Sequence, residues 1–313
     1  MPTLSEYRTK LQRLLNTEGL QTLYTNTELD SYINDARKQV ALEGQCVRAL
    51  TPIAGPISSI AVGSAGGGYS AAQVVISAPD QPDGTAAYPN GAQATALASL
   101  AGTTLGSVAV TSGGAGYFAP VAFVSGDGSG ANVTCAVSGV MATVQGQERY
   151  PFTWARSQIA AQKSGIGEVA FVRGISLIYG NIRYTLSHMG YQKYAAYVRN
   201  FTNGTYQMNP GVFAQFEQGV DGTVFLYPIP NQRYAMEWDV CLIPQDLNSS
   251  DTVPETIPYP WTEAVIYLGA YYAYSGKSRN SDADRMWQQY ERWMKRARGM
   301  SQPGVVSSWY GRV

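Results

Sequence analysis

The chain has few charged residues: 14% of its 313 residues are Asp, Glu, Lys or Arg, and the 22 acidic and 22 basic side chains cancel at pH 7. Globular proteins usually carry about a quarter charged residues. A neutral chain lacks the basic footprint of a dedicated nucleic-acid-binding protein, so any contact with DNA has to be local. The low charge also suggests that other copies of the chain cover much of its surface.

Cysteine, histidine and long apolar runs are also scarce. The three cysteines, Cys46, Cys135 and Cys241, form no Cys-x-x-Cys pair, and His188 is the only histidine. The sequence therefore predicts neither a disulfide scaffold nor a metal site. The longest apolar run, residues 264–274, is shorter than the roughly 20 residues of a membrane span, so we expect no membrane partner.

Catalytic motifs are absent as well. The glycine-rich stretches do not continue into GK[ST], and neither opens a helix, so no phosphate-binding loop is predicted. No G-x-S-x-G sequence occurs, and His188 would have to be the base for any serine or cysteine nucleophile. The acid pair Asp282/Asp284 suits the start of a helix, and the pair Glu237/Asp239 suits a solvated strand face. We expect no enzymatic activity, no catalytic residue and no cofactor.

Residues 1–50 predict an N-terminal helical hairpin. Capping boxes begin at Thr3 and Thr25, and each precedes apolar residues spaced three or four positions apart. The second of these helices is predicted to end at Gly44. Such a hairpin has one apolar stripe on each helix and needs further helices to cover it.

The C-terminal half predicts strands first and helices last. Residues 147–256 are expected to form an antiparallel β region, in which residues 224–230 and 234–244 pair as a hairpin. Residues 257–299 are expected to hold two helices that complete a bundle, the first apolar on nearly every side and the second amphipathic. Residues 300–313 show no periodicity and are predicted to extend away from the body.

Residues 52–146 differ sharply from the rest. Between Arg48 and Arg149 there is no lysine or arginine, and the segment holds 17 of the 33 glycines. ISSIAVGSAGGGY at residues 57–69 recurs as LGSVAVTSGGAGY at residues 105–117, with seven of thirteen residues identical. Valine-rich runs bounded by Gly, Ser and Pro predict short strands. We expect a small β-sandwich or paired β-motifs.

These segments predict an α+β fold. Its core is expected to be a helical bundle of two N-terminal and two C-terminal helices, accompanied by antiparallel strands. An inserted Gly-rich β-domain, made of two related repeats, is expected to project from the outer wall of the assembly, where loops vary without disturbing the body. The outward turns of its repeats are predicted at Gly66, Gly68, Tyr69, Gly114, Gly116 and Tyr117.

Four segments in order carry a resemblance to a known family: LSEYRTKLQRLLN, YINDARKQVALEGQCVR, RNFTNGTYQMNPGVFAQFEQGVDGTVFLYPIPNQRYAMEWDVCLIPQDL and IPYPWTEAVIYLGAYYAYSGKSRNSDADRMWQQYERWMKRARG. The chain resembles, over about residues 1–50 and 147–300, the head-to-tail adaptor (connector) proteins of tailed bacteriophages. It departs from a minimal adaptor by its glycine-rich insert. Gly-rich, strand-forming repeats of this kind occur in several phage structural proteins.

The resemblance implies a homo-oligomeric ring, commonly of twelve copies, at the head–tail junction of a virion assembled in the bacterial cytoplasm. Such a ring sits beneath the portal protein and above a tail nozzle or tube protein. Double-stranded DNA passes through its channel during ejection, and its C-terminal segment reaches a neighbouring ring. The insert is expected to hold tail fibres, spikes or a neighbouring tail protein, or only to stiffen the joint.

Two sets of site residues follow. Large aromatics and arginine are frequent interface anchors, so Trp309, Tyr310 and Arg312 are expected to dock the C-terminal segment of the chain, residues 300–313, on the portal protein. A basic cluster on the last helix, near the portal or the DNA channel, is formed by Arg292, Lys295, Arg296 and Arg298. Because the chain is neutral overall, we expect this cluster to be solvated or to contact the portal rather than DNA.

A second function stays open at this point. Tyr69, Tyr88 and Tyr117 in the repeats could stack on sugars, as in a glycan-binding module of a virion receptor-binding protein. Such a protein would more often be a trimer with affinity for cell-surface sugar, whereas an adaptor would be a high-order ring without it.

Overall fold

A computed structural model describes residues 2–16, 23–80, 91–179, 182–201, 207–216 and 222–301. Within these residues lie six helices: α1 (Leu4–Leu14), α2 (Asn26–Gly44), α3 (Phe152–Ala160), α4 (Tyr191–Phe201), α5 (Trp261–Gly276) and α6 (Asn280–Ser301). The predicted helices α1, α2, α5 and α6 are confirmed, whereas α3 and α4 were not predicted.

The N-terminal helices begin at the predicted capping boxes. The hydroxyls of Thr3 and Thr25 accept from the amides of Glu6 and Glu28, whose carboxylates accept in return from the threonine amides. Helix α2 ends at Gly44 as predicted, and Gln45 follows it in a left-handed conformation. Local sequence therefore determines both ends of this helix.

A four-stranded sheet lies against these helices. Its strands, each antiparallel to its neighbours, are in order β1 (Arg48–Leu50), β16 (Ala235–Pro244), β9 (Ile166–Tyr179) and β10 (Ile182–Thr185). The predicted alternation in β16 is present: Met236 and Trp238 are fully buried, while Glu237 lies on the other face. Helix α2 packs directly on this strand.

The main core belongs to helices and sheet together. Buried side chains of α1, α2, α5 and α6 form one cluster with those of the two central strands, among them Val172 and Ile175 of β9 and Val240 and Leu242 of β16. The prediction of a helical-bundle core is therefore wrong. The helices pack on one another, and α2 also lies on the sheet, because the buried side of β16 needs a partner layer and α2 supplies it.

A second sheet contradicts the predicted hairpin. Its strands are in order β11 (Ser187–His188), β13 (Val212–Phe216), β14 (Thr223–Tyr227) and β8 (Arg149–Pro151), and a small pair joins β12 (Gln207–Met208) to β15 (Ile229–Pro230). Strand β14 pairs with β13 and β8, whereas β16 pairs with β1 and β9. The chain between β14 and β16 thus changes sheets instead of reversing as a hairpin.

The described residues of the insert form six strands in three antiparallel pairs: β2 (Ile57–Gly67) with β7 (Ser129–Val137), β3 (Ala72–Ile76) with β6 (Ala122–Gly126), and β4 (Thr95–Ala101) with β5 (Thr104–Ser112). Side by side, β5 lies next to β2, β3 next to β4, and β6 next to β7. The three pairs therefore form a closed, three-sided arrangement around a separate small core.

The two repeats are intertwined. The first contributes β2, β3 and β4, and the second contributes β5, β6 and β7, so every pair takes one strand from each repeat. The first strand of one repeat pairs with the last strand of the other, and the two middle strands pair together. This is the pattern of an approximate two-fold axis. Among the described residues, neither repeat pairs two of its own strands, so each strand takes its partner from the other repeat.

Two aspartates connect the repeats at their turns. Asp127 of the second repeat accepts from the Ser70 amide at 2.9 Å and the Ala71 amide at 3.3 Å, in the first repeat. Asp80 of the first repeat accepts, at 2.7 Å, from the amide of Phe118, which is the equivalent of Ser70 in the second repeat. Each repeat thus stabilises the turn that follows the glycine–tyrosine phrase of the other.

The insert is joined to the body by two buried threonines. Thr51 Oγ1 accepts from the Trp238 amide at 2.8 Å, and Thr143 Oγ1 accepts from the Tyr234 amide at 2.7 Å. The Thr51 hydroxyl also donates to the carbonyl of Met236 in β16, and the Thr143 hydroxyl donates to the carbonyl of Gln232 shortly before β16. The two chain crossings therefore lie against the same strand of the body.

Candidate interaction surface

The described residues contain no group of three or more His, Cys, Asp or Glu side chains that could hold a metal ion. His188 is exposed, and its ring lies 4.9 Å from that of Phe213. No described helix combines the length and the apolar character needed to cross a membrane.

Three of the four acids considered from the sequence, Glu237, Asp239 and Asp282, take part in ion pairs. Glu237 pairs with Arg183 and Asp239 with Arg48 on the outer face of the first sheet. Asp282 pairs with Arg279 at 2.7 Å in the first turn of α6. Opposite charges neutralise these carboxylates, and surface pairs of this kind contribute little to stability.

A fully buried ion pair joins α2 to the segment before α5. Arg37 and Glu255 are 0% exposed and form two hydrogen bonds of 2.9 Å. Arg37 also donates to the carbonyl of Gln245 at 2.8 Å, and Glu255 accepts from the amide of Ile257 at 2.9 Å. Burial and the charge of Glu255 raise the pKa of Tyr7, which therefore stays protonated. This network positions the start of α5.

The first groove lies between α1 and α5. It consists of two adjoining hollows of about 600 and 340 Å³ that share Lys10 and Glu263, whose side chains form a 3.4 Å ion pair. Tyr259 borders the larger hollow and is 68% exposed, and Tyr267 lines the smaller one. No sequence pattern links Lys10 to Glu263, which are 253 residues apart, so sequence analysis missed this groove.

The second groove lies between α2 and α6 and has a volume of about 360 Å³. Its lining combines apolar and charged side chains, namely Glu43, Trp287, Tyr290, Glu291, Met294, Lys295 and Arg298. Tyr290 donates to the Glu43 carboxylate at 2.6 Å. Burial and this hydrogen bond raise the pKa of the Tyr290 hydroxyl, so the contact persists at neutral pH.

A row of aromatic rings continues from this groove. The Trp287 ring lies 5.2 Å from that of Tyr290 and 5.1 Å from that of Tyr271, which is only partly buried. Aromatic contacts at these distances add roughly 0.5–1.5 kcal/mol beyond area burial. Partly exposed aromatic side chains of this kind are frequent anchors of protein interfaces.

The predicted basic cluster divides into two parts. Arg298 turns toward the body and donates to the carbonyl of Glu43 at 3.0 Å, where it satisfies the C-terminal end of α2. Arg292, Lys295 and Arg296 are exposed, and the Arg296 guanidinium lies 5.1 Å from the centre of the Trp293 ring. The cluster is thus not one patch, because Lys295 and Arg298 line the second groove whereas the helical repeat turns Arg292 and Arg296 away from Arg298.

The predicted turns of the repeats differ from the expectation in one respect. Gly66 and Gly114 have positive φ, as do Gly68 and Gly116, so the two copies share one turn conformation. Their tyrosines, however, are both buried, Tyr117 in the small core of the insert and Tyr69 against Gly126 and Gly128. Tyr69 is 3% exposed and Tyr117 is 0% exposed, and the Tyr117 hydroxyl accepts from the Ala94 amide at 2.9 Å. These two rings are unavailable for stacking on a sugar.

Several predicted site residues lie outside the described residues. They are Tyr88 of the repeat loop and the tail residues Trp309, Tyr310 and Arg312. The roles expected for them stay predictions.

No protein-family model and no curated protein matches this chain.

Proposed function

We propose that this chain is a structural virion protein, a head-to-tail adaptor that forms a ring between the portal and the tail of a bacteriophage. The resemblance of the helical and C-terminal segments to such adaptors is one basis for the proposal. The observation that carries it is the pair of grooves, because they are built from different helices and share no residue.

Two different grooves suit a ring. A head-to-tail contact joins one surface of a subunit to a different surface of the next, and it closes into a ring when the rotation allows. In the proposed ring, the surface with the α1/α5 groove meets the surface with the α2/α6 groove of the neighbouring copy. The exposed Tyr259 at the first and the partly exposed Trp287 at the second would become buried there.

The glycan-binding alternative receives less support. Two of its three tyrosines, Tyr69 and Tyr117, are buried, and the described residues of the insert expose only one large aromatic, Phe123 at 55%. Sugar-binding sites use exposed aromatic faces, so the described part of the insert lacks the exposed tyrosines on which that alternative rested.

Native mass spectrometry and negative-stain imaging test the proposal, with the protein alone and after mixing with its portal. High-order rings, alone or only on the portal, are expected. A monomer or a trimer that ignores the portal contradicts the proposal.

Variants at the two grooves make this test more specific. Tyr259→Ser with Tyr267→Ser should block the first surface, and Trp287→Ser should block the second. The loss of an interface anchor costs about 2 kcal/mol or more, which is on the order of a 30-fold weaker contact. Ile182→Ser, at a position that is 66% exposed on strand β10, serves as the control and should still form rings.

Mixing the two groove variants distinguishes a ring from a symmetric dimer. Each variant keeps one intact surface, so the mixture should form dimers of one copy of each and nothing larger. Rings from either variant alone, with circular dichroism showing an intact fold, would place the subunit contact elsewhere.

A further inference from the structure

The outward face of α6 carries a line of arginines. With about 100° per residue, Arg285, Arg292 and Arg296 fall within about 40° of one another, opposite the buried Tyr290 and Ala297. All three side chains are exposed. We call these three residues the arginine stripe. It includes only two members of the predicted basic cluster, and it gains Arg285, which sequence analysis did not select.

The stripe is not explained by the helix dipole. A dipole favours cations in the last turn of a helix, where Arg298 lies. Arg285 is in the second turn of α6 and Arg292 is near its middle. The helix dipole therefore stabilises neither of these two cations.

Neutralisation within the described chain does not explain the stripe either. Neither Arg285 nor Arg292 forms an ion pair with any described residue. Glu291 is the only acid between residues 285 and 301, and it projects toward the α2 side, where it accepts from Trp287 Nε1 at 3.0 Å. The stripe therefore presents three positive charges to whatever lies outside the helix.

From this geometry we infer that the arginine stripe contacts the phosphate backbone of double-stranded DNA. At about 1.5 Å rise per residue, the arginines are about 10 and 6 Å apart along the helix. A duplex strand carries one phosphate per about 3.4 Å of axis, so long guanidinium side chains at these spacings can reach separate phosphates. The inference rests on the proposed function, in which a ring of such helices would surround the DNA channel.

The contact is expected to be weak and independent of base sequence. Three arginines per copy on a neutral chain give no base-reading surface, and backbone contacts alone position DNA without specifying sequence. Weak contacts that exchange between successive phosphates allow the duplex to move through a channel.

The test compares two triple variants with the same change in net charge. The stripe variant is Arg285→Gln, Arg292→Gln and Arg296→Gln. The control variant is Arg156→Gln, Lys163→Gln and Lys193→Gln, which removes three cations from outside α6. The binding of a fluorescent mixed-sequence duplex to the full chain is measured by anisotropy across a salt series. The protein concentrations have to cover the range of about 10⁻⁴–10⁻⁶ M, because dissociation constants of non-specific binding are of that order of magnitude.

The wild-type protein and the control variant should bind the duplex with similar salt dependence. In the stripe variant, the slope of log K against log salt should fall by about 2–3, since each phosphate contact contributes about 0.9. Equal slopes for the two variants, or no binding by the wild type, would overturn the inference. So would equally effective competition by polyglutamate, because that result would assign the stripe to an acidic protein.

This result is independent of the ring experiment. A chain that binds the duplex through the stripe but forms no ring keeps the inference and refutes the adaptor. Rings with no stripe-dependent DNA binding keep the adaptor and refute the inference.

Discussion

The body of the protein buries a complete ion pair, Arg37–Glu255, whereas the insert keeps its two described aspartates exposed and surrounds only eight buried side chains. The body is held by a large core shared by helices and a sheet. The insert is held by strand exchange between repeats and by hydrogen bonds at turns. A segment without lysine or arginine can thus be ordered by backbone pairing when its two halves complete each other.

The largest expected effect concerns the buried pair. Arg37→Met leaves the Glu255 carboxylate buried without its cation, which should lower the free energy of unfolding by about 3–5 kcal/mol. Tryptophan fluorescence during urea unfolding measures the body alone, because all six tryptophans lie outside residues 52–146. The neighbouring Lys38→Met breaks an exposed pair with Asp246 and should cost about 0–1 kcal/mol. Equal urea midpoints for the two variants would show that the buried ion pair stabilises the fold no more than the exposed one.

A smaller effect is expected inside the insert. Gly114 and Gly102 both have positive φ, but an added Cβ would lie 2.2 Å from the Ala92 carbonyl oxygen at Gly114 and would meet nothing within 4 Å at Gly102. Gly102→Ala should therefore cost only backbone strain, about 1–2 kcal/mol, and Gly114→Ala should cost more. Hydrogen exchange of the insert strands measures the difference. If tryptophan unfolding shifts by the same amount, the insert and the body unfold as one unit.

The smallest effect depends on pH. Hydrogen bonds from the Ser70 hydroxyl and the Ser70 and Ala71 amides lower the pKa of Asp127 to about 2 from its ordinary value of 3.8. A carboxyl group with a lowered pKa contributes stability above its ordinary pKa and loses that contribution as pH falls through the lowered value. The melting temperature of the insert, measured by circular dichroism, should therefore fall between about pH 4 and pH 2. Asp127→Asn should reduce this drop, and an unchanged pH profile would argue against the turn contact.

Local signals in the sequence predicted the helices well. The capping boxes at Thr3 and Thr25 and the end of α2 at Gly44 were all identified, because each depends on residues within one turn. The buried helix α5 was predicted from its composition alone. Helices α3 and α4 were missed, since they lie within a segment that otherwise predicts strands.

Pairing between distant segments was predicted poorly. The apolar alternation of β16 was identified correctly, but its assignment to a hairpin with β14 was wrong, and β9, its real neighbour, was not considered. The predicted bundle failed for the same reason, because the partner layer of α2 is a sheet formed by strands far away in the sequence.

The candidate site shows the same division. Periodicity located the cations of α6, yet only the contact with α2 showed that Arg298 turns toward the body while the arginine stripe faces outward. Each of the two grooves joins residues that are more than two hundred positions apart in the sequence, and composition does not predict such a contact.

The sequence by itself determined the ends of α1 and α2, the absence of lysine and arginine from the insert and the presence of two repeats, because caps, composition and identity are local properties. Only the tertiary structure decided that the repeats exchange strands, that Tyr69 and Tyr117 face inward, and that α2 lies on a sheet. These outcomes depend on which apolar surfaces cover one another, and that choice is made by the free energy of the whole chain.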